Sequence, residues 1–234
     1  MPTLLLSIID TLINWDIHAS LFINGLHCGY LDNFMMMFSG RFIWIPMYVS
    51  LLIVMLRNFP IKVNLVCLVV SIILITVIDQ TSSSLLRPLL CRPRPANIDS
   101  PIDQFVHVVD NYRGGHYGFP SSHAANCWGA AFFVYYVFRR HVLSRTFAAW
   151  ALVMCWSRVY LGVHYVGDII FGTFIGFVEA SIIYFFFQKG MHKTTESFKP
   201  IDGPNSPRLY VPSIVCAVET GLMLIIAFFT RFSF

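Results

Sequence analysis

The chain has 234 residues, of which 56% are hydrophobic and 12% charged, and its formal net charge is +4. A soluble domain carries about 25% charged residues. There is too little polar side chain here to cover a water-exposed globule, so an integral membrane protein is expected. The basic residues are split between the two ends of the apolar segments, which excludes a nucleic-acid binder with one basic face.

The opening stretch, "MPTLLLSIIDTLINWDIHASLFINGLH", lacks a basic n-region and is interrupted by Asp10 and Asp16, so it does not read as a signal peptide. Leu5, Ile8, Ile9, Leu12 and Ile13 recur at helical spacing and predict an amphipathic helix lying at the membrane interface. Six apolar segments follow, near 33–56, 62–86, 122–138, 146–161, 166–188 and 209–230. Each approaches the roughly 20 residues that a spanning helix needs. They predict an all-α bundle of six transmembrane helices forming one domain over 1–234.

The connections "RNFPIK" (57–62), "RRHVLSR" (139–145) and 189–208 fall on one side of such a bundle. They hold Arg57, Lys62, Arg139, Arg140, Arg145, Lys189, Lys193, Lys199 and Arg208. Lys and Arg flanking the spans favour the cytoplasm. The opposite side also carries arginines, Arg87, Arg92, Arg94, Arg113 and Arg158, with Arg41 expected nearby. A positive charge surplus on the far side needs a task. Six cysteines show no metal-ligand spacing and no disulfide framework, and only Cys28 and Cys91, near membrane ends, are placed for a conceivable pairing.

Three pieces meet on that far side. "RPLLCRPRP" (87–95) sets Arg87 and Arg94 in a rigid proline frame, and a guanidinium fork suits phosphate oxygens. Taken alone it also fits arginines snorkelling to lipid headgroups. "GFPSSHAAN" (118–126) puts Ser121 or Ser122 at a helix start, where exposed backbone N–H groups attract anions, with His123 just inside. Taken alone, plain capping accounts for it. "SRVYLGVHYVGD" (157–168) holds Arg158 and spaces His164 and Asp168 by four. A carboxylate on one imidazole nitrogen leaves the other a better nucleophile, although a His/Asp pair can also simply seal a helix end. Together the pieces supply an anion clamp, a nucleophile and an acid on one membrane face. Asp79, eight residues before Arg87, is expected to brace it or to link helices through Ser82 and Ser83. The Gly-rich loop "YRGGHYGF" (112–119) reads as a headgroup entrance or a mobile tip, and Glu179 and Glu219 lie isolated in apolar spans.

These motifs resemble the type 2 phosphatidic acid phosphatase superfamily, whose pattern is K-x6-RP, PSGH and SR-x5-H-x3-D. Arg87 stands for the Lys, Arg94-Pro95 follows six residues later, and Pro120-Ser121-Ser122-His123 has Ser for Gly. Ser157-Arg158, His164 and Asp168 fit without departure. The resemblance implies a membrane lipid phosphatase that works without metal or cofactor. It implies His164 as the nucleophile forming a phosphohistidine, Asp168 orienting it and His123 as the acid. Arg87, Arg94, Ser121, Ser122 and Arg158 would hold the phosphate. The implied partners are the bilayer and a phosphorylated membrane lipid, with the site on the periplasmic or exterior face of a bacterial inner membrane. Undecaprenyl pyrophosphate, lipid A, phosphatidylglycerophosphate and phosphatidate all fit, and outer-face placement favours the first two. The rival readings are a lipid-to-lipid phosphotransferase using the same intermediate and a non-catalytic lipid-binding or transport protein. The motifs leave oligomeric state open.

Overall fold

The computed structural model describes residues 2–194 and 207–230. Among the described residues the fold is all-α, with eight principal helices: α1 (Pro2–Asn24), α2 (Gly29–Phe38), α3 (Ile45–Asn58), α4 (Ile61–Leu90), α5 (Ser122–Phe138), α6 (His141–Tyr160), α7 (Val166–Thr194) and α8 (Val211–Phe229). Among the described residues four helical stretches are long and apolar enough to cross a membrane: Leu4–Asn24, Ile61–Leu90, Val166–Gly190 and Arg208–Phe229. Part of the third basic connection, 195–206 with Lys199, lies outside the described residues.

The first predicted span is not one helix. It is broken between α2 and α3, where the Trp44 indole N–H donates to the Phe38 carbonyl at 3.0 Å and Pro46 opens α3. Proline is at home in a helix's first turn, where its missing N–H would have no intrahelical acceptor. The start of α3 is further satisfied from α8, where Glu219 Oε1 accepts the Met47 N–H at 3.3 Å.

The helix α1, expected at the interface, is by length and apolarity also able to cross a membrane. Leu4, Leu5, Leu6, Ile8, Ile9, Leu12, Ile13 and Trp15 are exposed. The polar residues Asp16, Ser20 and Asn24, at i, i+4 and i+8, turn inward and bond to later parts of the chain. The polar stripe thus faces protein rather than water.

Two apolar cores hold the bundle. One joins α2, α3, α6 and α8 through residues such as Phe38, Trp44, Phe147, Trp150 and Met223. The other joins α4, α5 and α7 through Val63, Leu74, Ile78, Phe133 and Ile175. The α5–α7 pair is the most extensive helix contact. A Cβ on Gly172 would lie 2.4 Å from the Ser121 carbonyl oxygen, and one on Gly176 would lie 2.4 Å from that of Ala125. Glycines four apart let two helix backbones approach this closely. That contact sets the helix of His123 against the helix of Asp168.

The helix α4 changes character before its end. Gln80–Leu86 is a π-helical stretch, in which the Arg87 N–H bonds to the Ser82 carbonyl. Pro88 cannot donate to the Ser84 carbonyl and its ring crowds that group, which favours the wider turn. The stretch reorients the helix at the residue that presents Arg87. Thr81 within it lies beside Glu179 of α7, giving that isolated carboxyl a polar neighbour on another helix.

Candidate active site

The site forms where the α4–α5 connection, the start of α5, the α6–α7 turn and the end of α1 converge. At its centre His164 and Asp168 are almost fully buried. His164 Nδ1 lies 3.2 Å from Asp168 Oδ2, while Nε2 lies 3.2 Å from Arg94 Nη1. Arginine can only donate. Nε2 must therefore accept, and the ring proton resides on Nδ1 and points at Asp168. This tautomer leaves the lone pair on Nε2. Burial, and then the cations of Arg94, Arg158 and Arg87, hold the His164 imidazole well below the usual histidine range.

Asp168 is fixed on both oxygens. Oδ2 also accepts the Tyr165 backbone N–H at 3.0 Å, and Oδ1 accepts from Arg92 Nη1 at 2.9 Å. Arg92 in turn donates to Asp16 Oδ2 at 2.7 Å and lies over the Tyr165 ring, 3.8 Å from its centre. Asp16 Oδ1 accepts the Gly167 N–H at 2.7 Å. A chain of charges thus runs from α1 through Arg92 to the His164–Asp168 pair.

The other three arginines have neutral protein partners. Arg94 donates to the carbonyls of Tyr117 and Val163 at 3.1 and 3.0 Å, besides His164. Arg87 donates to the Pro120 carbonyl at 3.2 Å and to Ser122 Oγ at 3.1 Å. Arg158 donates to Ser39 Oγ and, at 3.0 Å, to the Tyr112 hydroxyl. Among the described residues no carboxylate pairs with any of them, and the buried Nε atoms of Arg87 and Arg158 have no acceptor. Burial, followed by the Arg158 and Arg87 charges, lowers Arg94 to about 10. Arg158 also acts on Tyr112: burial alone would raise that phenol, but the cations of Arg158, Arg94 and Arg41 outweigh it and bring it down.

Ser121 caps α5 by accepting the Ala124 N–H at 3.3 Å, while its own N–H donates to the Asp168 carbonyl at 3.1 Å. The α5 N-terminus is thereby anchored directly to α7. His123, the second residue of this helix, lies within electrostatic reach of Arg158, His164, Arg41 and Arg94. Among the described residues its ring makes no hydrogen bond.

The structure thus gathers Arg87, Arg94, Arg158, Ser121, Ser122, His123, His164 and Asp168 at one end of the bundle. Asp79 makes no ion pair with Arg87 among the described residues. Its Oδ1 instead accepts the Ser83 hydroxyl at 3.3 Å. Cys28 and Cys91 are both free and exposed. No group of three or more His, Cys, Asp or Glu among the described residues is arranged to hold a metal ion.

Sequence reasoning missed Arg92, Asp16, Tyr112, Ser39 and Gly118 as parts of this site. The doubled arginines of "CRPRP" and the four-residue spacing of Asp16, Ser20 and Asn24 are signals that could have found the first two. Gly118 has no local signal. A Cβ there would lie 3.0 Å from both Arg94 Cγ and Asp168 Oδ2 and 3.5 Å from His164 Nδ1, so the loop roofs the His164–Asp168 pair with bare backbone. The "YRGGHYGF" loop is held in place through Gly118 N–H to the Arg92 carbonyl at 2.9 Å and Arg94 N–H to that of His116 at 3.2 Å.

A buried histidine held between an arginine and a carboxylate and set among arginines that lack carboxylate partners makes a cationic setting suited to an anion. The chain belongs to the PAP2 superfamily, whose family model matches residues 64–191, and it is a membrane-embedded lipid phosphatase. Among curated relatives it is similar to "Lipid A 4'-phosphatase" of Bacteroides thetaiotaomicron, with 44% identity over 83% of this chain and 86% of that protein. It is also similar to "Lipid A 4'-phosphatase" of Porphyromonas gingivalis, with 32% identity over 72% of each chain. No solved structure matches it.

Proposed function

We propose that this protein removes the 4'-phosphate of lipid A by way of a phosphohistidine, at the periplasmic face of a bacterial inner membrane. One observation carries the phosphate-binding part of the reading: three buried or half-buried arginines face no carboxylate, and two of their N–H groups have no acceptor at all. Such a cluster is costly unless an anion completes it. Between the candidate lipids, the relatives' substrate favours lipid A.

In the reaction, Nε2 of His164 attacks phosphorus and the bond to the sugar oxygen breaks. His123, which burial and the neighbouring cations hold neutral in the empty site, takes up a proton as the phosphate dianion enters and gives it to that oxygen. Arg94, which occupies Nε2 in the resting site, passes to a phosphoryl oxygen as the lone pair is used. Arg87, Arg158 and the N-terminus of α5 hold the remaining oxygens, with Ser121 setting the cap and Ser122 orienting Arg87. Asp168 stabilises the positive charge that develops on His164. Water then attacks phosphorus and loses its proton to His123, the P–N bond breaks, and inorganic phosphate leaves. Asp79 braces the polar turn ahead of Arg87 through Ser83.

Six crossings, α3–α8, bring the α4–α5 and α6–α7 connections to one face, and α1 and α2 pack beside them. The short basic turns between α3 and α4 and between α5 and α6 lie at the other end. Their Arg57, Lys62, Arg139, Arg140 and Arg145 support a cytoplasmic assignment for that end.

The test is phosphate release from lipid A by purified protein in detergent with chelator, and mass analysis of the lipid product. Wild type is expected to yield the 4'-dephosphorylated lipid, and His164→Ala to lose at least about 10³-fold in rate, as an enzyme losing its nucleophile does. Undiminished release by His164→Ala would end the phosphohistidine assignment.

A further inference from the structure

The two cores leave a wedge between them. The helix α3 packs mainly on α8, whereas α4 packs on α5 and α7, so α3 and α4 barely meet. The space between them is a cavity of about 570 Å³, whose walls include Tyr48, Cys67, Leu74, Ala130, Val134 and Trp150. Its upper end is at Asn126, three residues along α5 from His123 and on the same side of that helix. Its lower end reaches Phe138, so it follows α5 for twelve residues, about 18 Å at 1.5 Å per residue. That slightly exceeds one leaflet of a hydrocarbon core about 30 Å thick.

We propose that this cavity is the site for one hydrocarbon chain of the phosphorylated lipid, held while its phosphate lies against His164. The inference rests on the lipid-phosphatase reading and adds where the chain goes. Three features select a lipid chain as occupant. The wall is overwhelmingly apolar, its length is that of a chain in one leaflet, and its upper end begins one helical turn from the residue assigned to the leaving oxygen. Asn126, whose buried Oδ1 has no partner, stands at that end, where the polar linkage between chain and headgroup would pass. A chain leaving the bilayer for this cavity exchanges one apolar medium for another. The cavity therefore acts by shape, discriminating among chain lengths, more than by adding affinity.

The experiment uses full-length His164→Ala protein in detergent and a phosphatidate carrying a photoreactive diazirine in mid-chain, with adducts mapped by mass spectrometry. Adducts are expected on Leu74, Ala130 or Val134, and Ala130→Phe, which fills the cavity, should lower them by about tenfold, the scale on which an apolar pocket discriminates size. Val134→Phe serves if Ala130→Phe does not fold. Adducts confined to exposed outer positions such as Leu65 and Ile72, or unchanged in the filled variant, would overturn the proposal. In otherwise wild-type protein, Ala130→Phe should lower kcat/KM for a long-chain phosphorylated lipid by about tenfold and leave a short-chain analogue within about twofold. Equal effects on both would also overturn it. If the wild type releases no phosphate from any lipid, the phosphatase reading fails, while the adduct map still decides the chain site.

Discussion

Gly118 shows how little room there is around the His164–Asp168 pair. A methyl group there meets Arg94 and Asp168 at 3.0 Å, tighter than ordinary van der Waals contact, and neither neighbour is free to retreat. Gly118→Ala is expected to keep the fold while lowering kcat by at least about tenfold, since small misplacements of reacting groups cost this much or more. Phosphate release beside a thermal melt checks it, and unchanged kcat would count against close roofing. The state of His164 sets a pH expectation as well. Its folded-state proton affinity lies below the unfolded value of about 6.5, so the unfolded chain binds more protons in acid. Stability from this residue is thus present above pH ~6.5 and lost as pH falls through the folded-state pKa, and the imidazole stays neutral below its usual range. The acid limb of kcat/KM assigned to His164 should lie below pH ~6.5, and a limb centred higher would contradict the cationic setting described here. These residues were legible to different degrees. His164 and Asp168 are four apart, and the chemistry of a His–carboxylate pair announces itself. Gly118 acts by lacking atoms, which no spacing reveals.

At the scale of elements, α1 is the helix whose role the pattern concealed. Its apolar residues signal a membrane surface, but they do not say that Asp16, Ser20 and Asn24 point at the site. That follows only once Arg92, 76 residues away, bridges Asp16 and Asp168. Arg92→Ala removes a charged partner from buried Asp168. Arg92 is itself partly exposed, so the expected loss is about 1–3 kcal/mol in stability. It should be accompanied by a fall in kcat with KM little changed, because Arg92 touches Asp168 rather than the phosphate. Asp16→Asn should reproduce a milder form of the same defect. A change confined to KM would mean that Arg92 binds substrate instead. The broken first span has a related cause. Composition reads 33–56 as one apolar run, but the loop around Gly40 and Pro46 interrupts the ladder and places Ser39 against Arg158. The Ser121 cap was visible in sequence because capping depends on residue type at one position.

For the molecule as a whole, the main electrostatic fact is a cluster of Arg87, Arg94 and Arg158 inside an apolar bundle with no carboxylate in contact among the described residues. Ligand that binds only the folded state stabilises it by about 2.7 kcal/mol at a hundred times its dissociation constant. Inorganic phosphate should therefore raise the melting temperature in a saturable way, whereas chloride at equal ionic strength should not. Arg158→Ala should abolish most of the shift. A phosphate-independent melt would mean that the cluster is satisfied without an anion. The all-α bundle was readable because hydropathy reports directly on burial in lipid. The wedge between the two cores was not, since it depends on which helices pair.

The long reach of the α1 contacts bears on how the enzyme is made. Asp16 and Ser20 bond to residues 76 to 151 positions later, and Asn24 to residues 83 and 136 positions later. The helix made first must wait through most of synthesis for its partners, and non-local contacts of this kind close late. Until then Asp168 lacks its bridge to α1. Catalytic competence should accordingly be among the last properties the nascent chain acquires, arriving with the α6–α7 turn rather than with the helices that precede it.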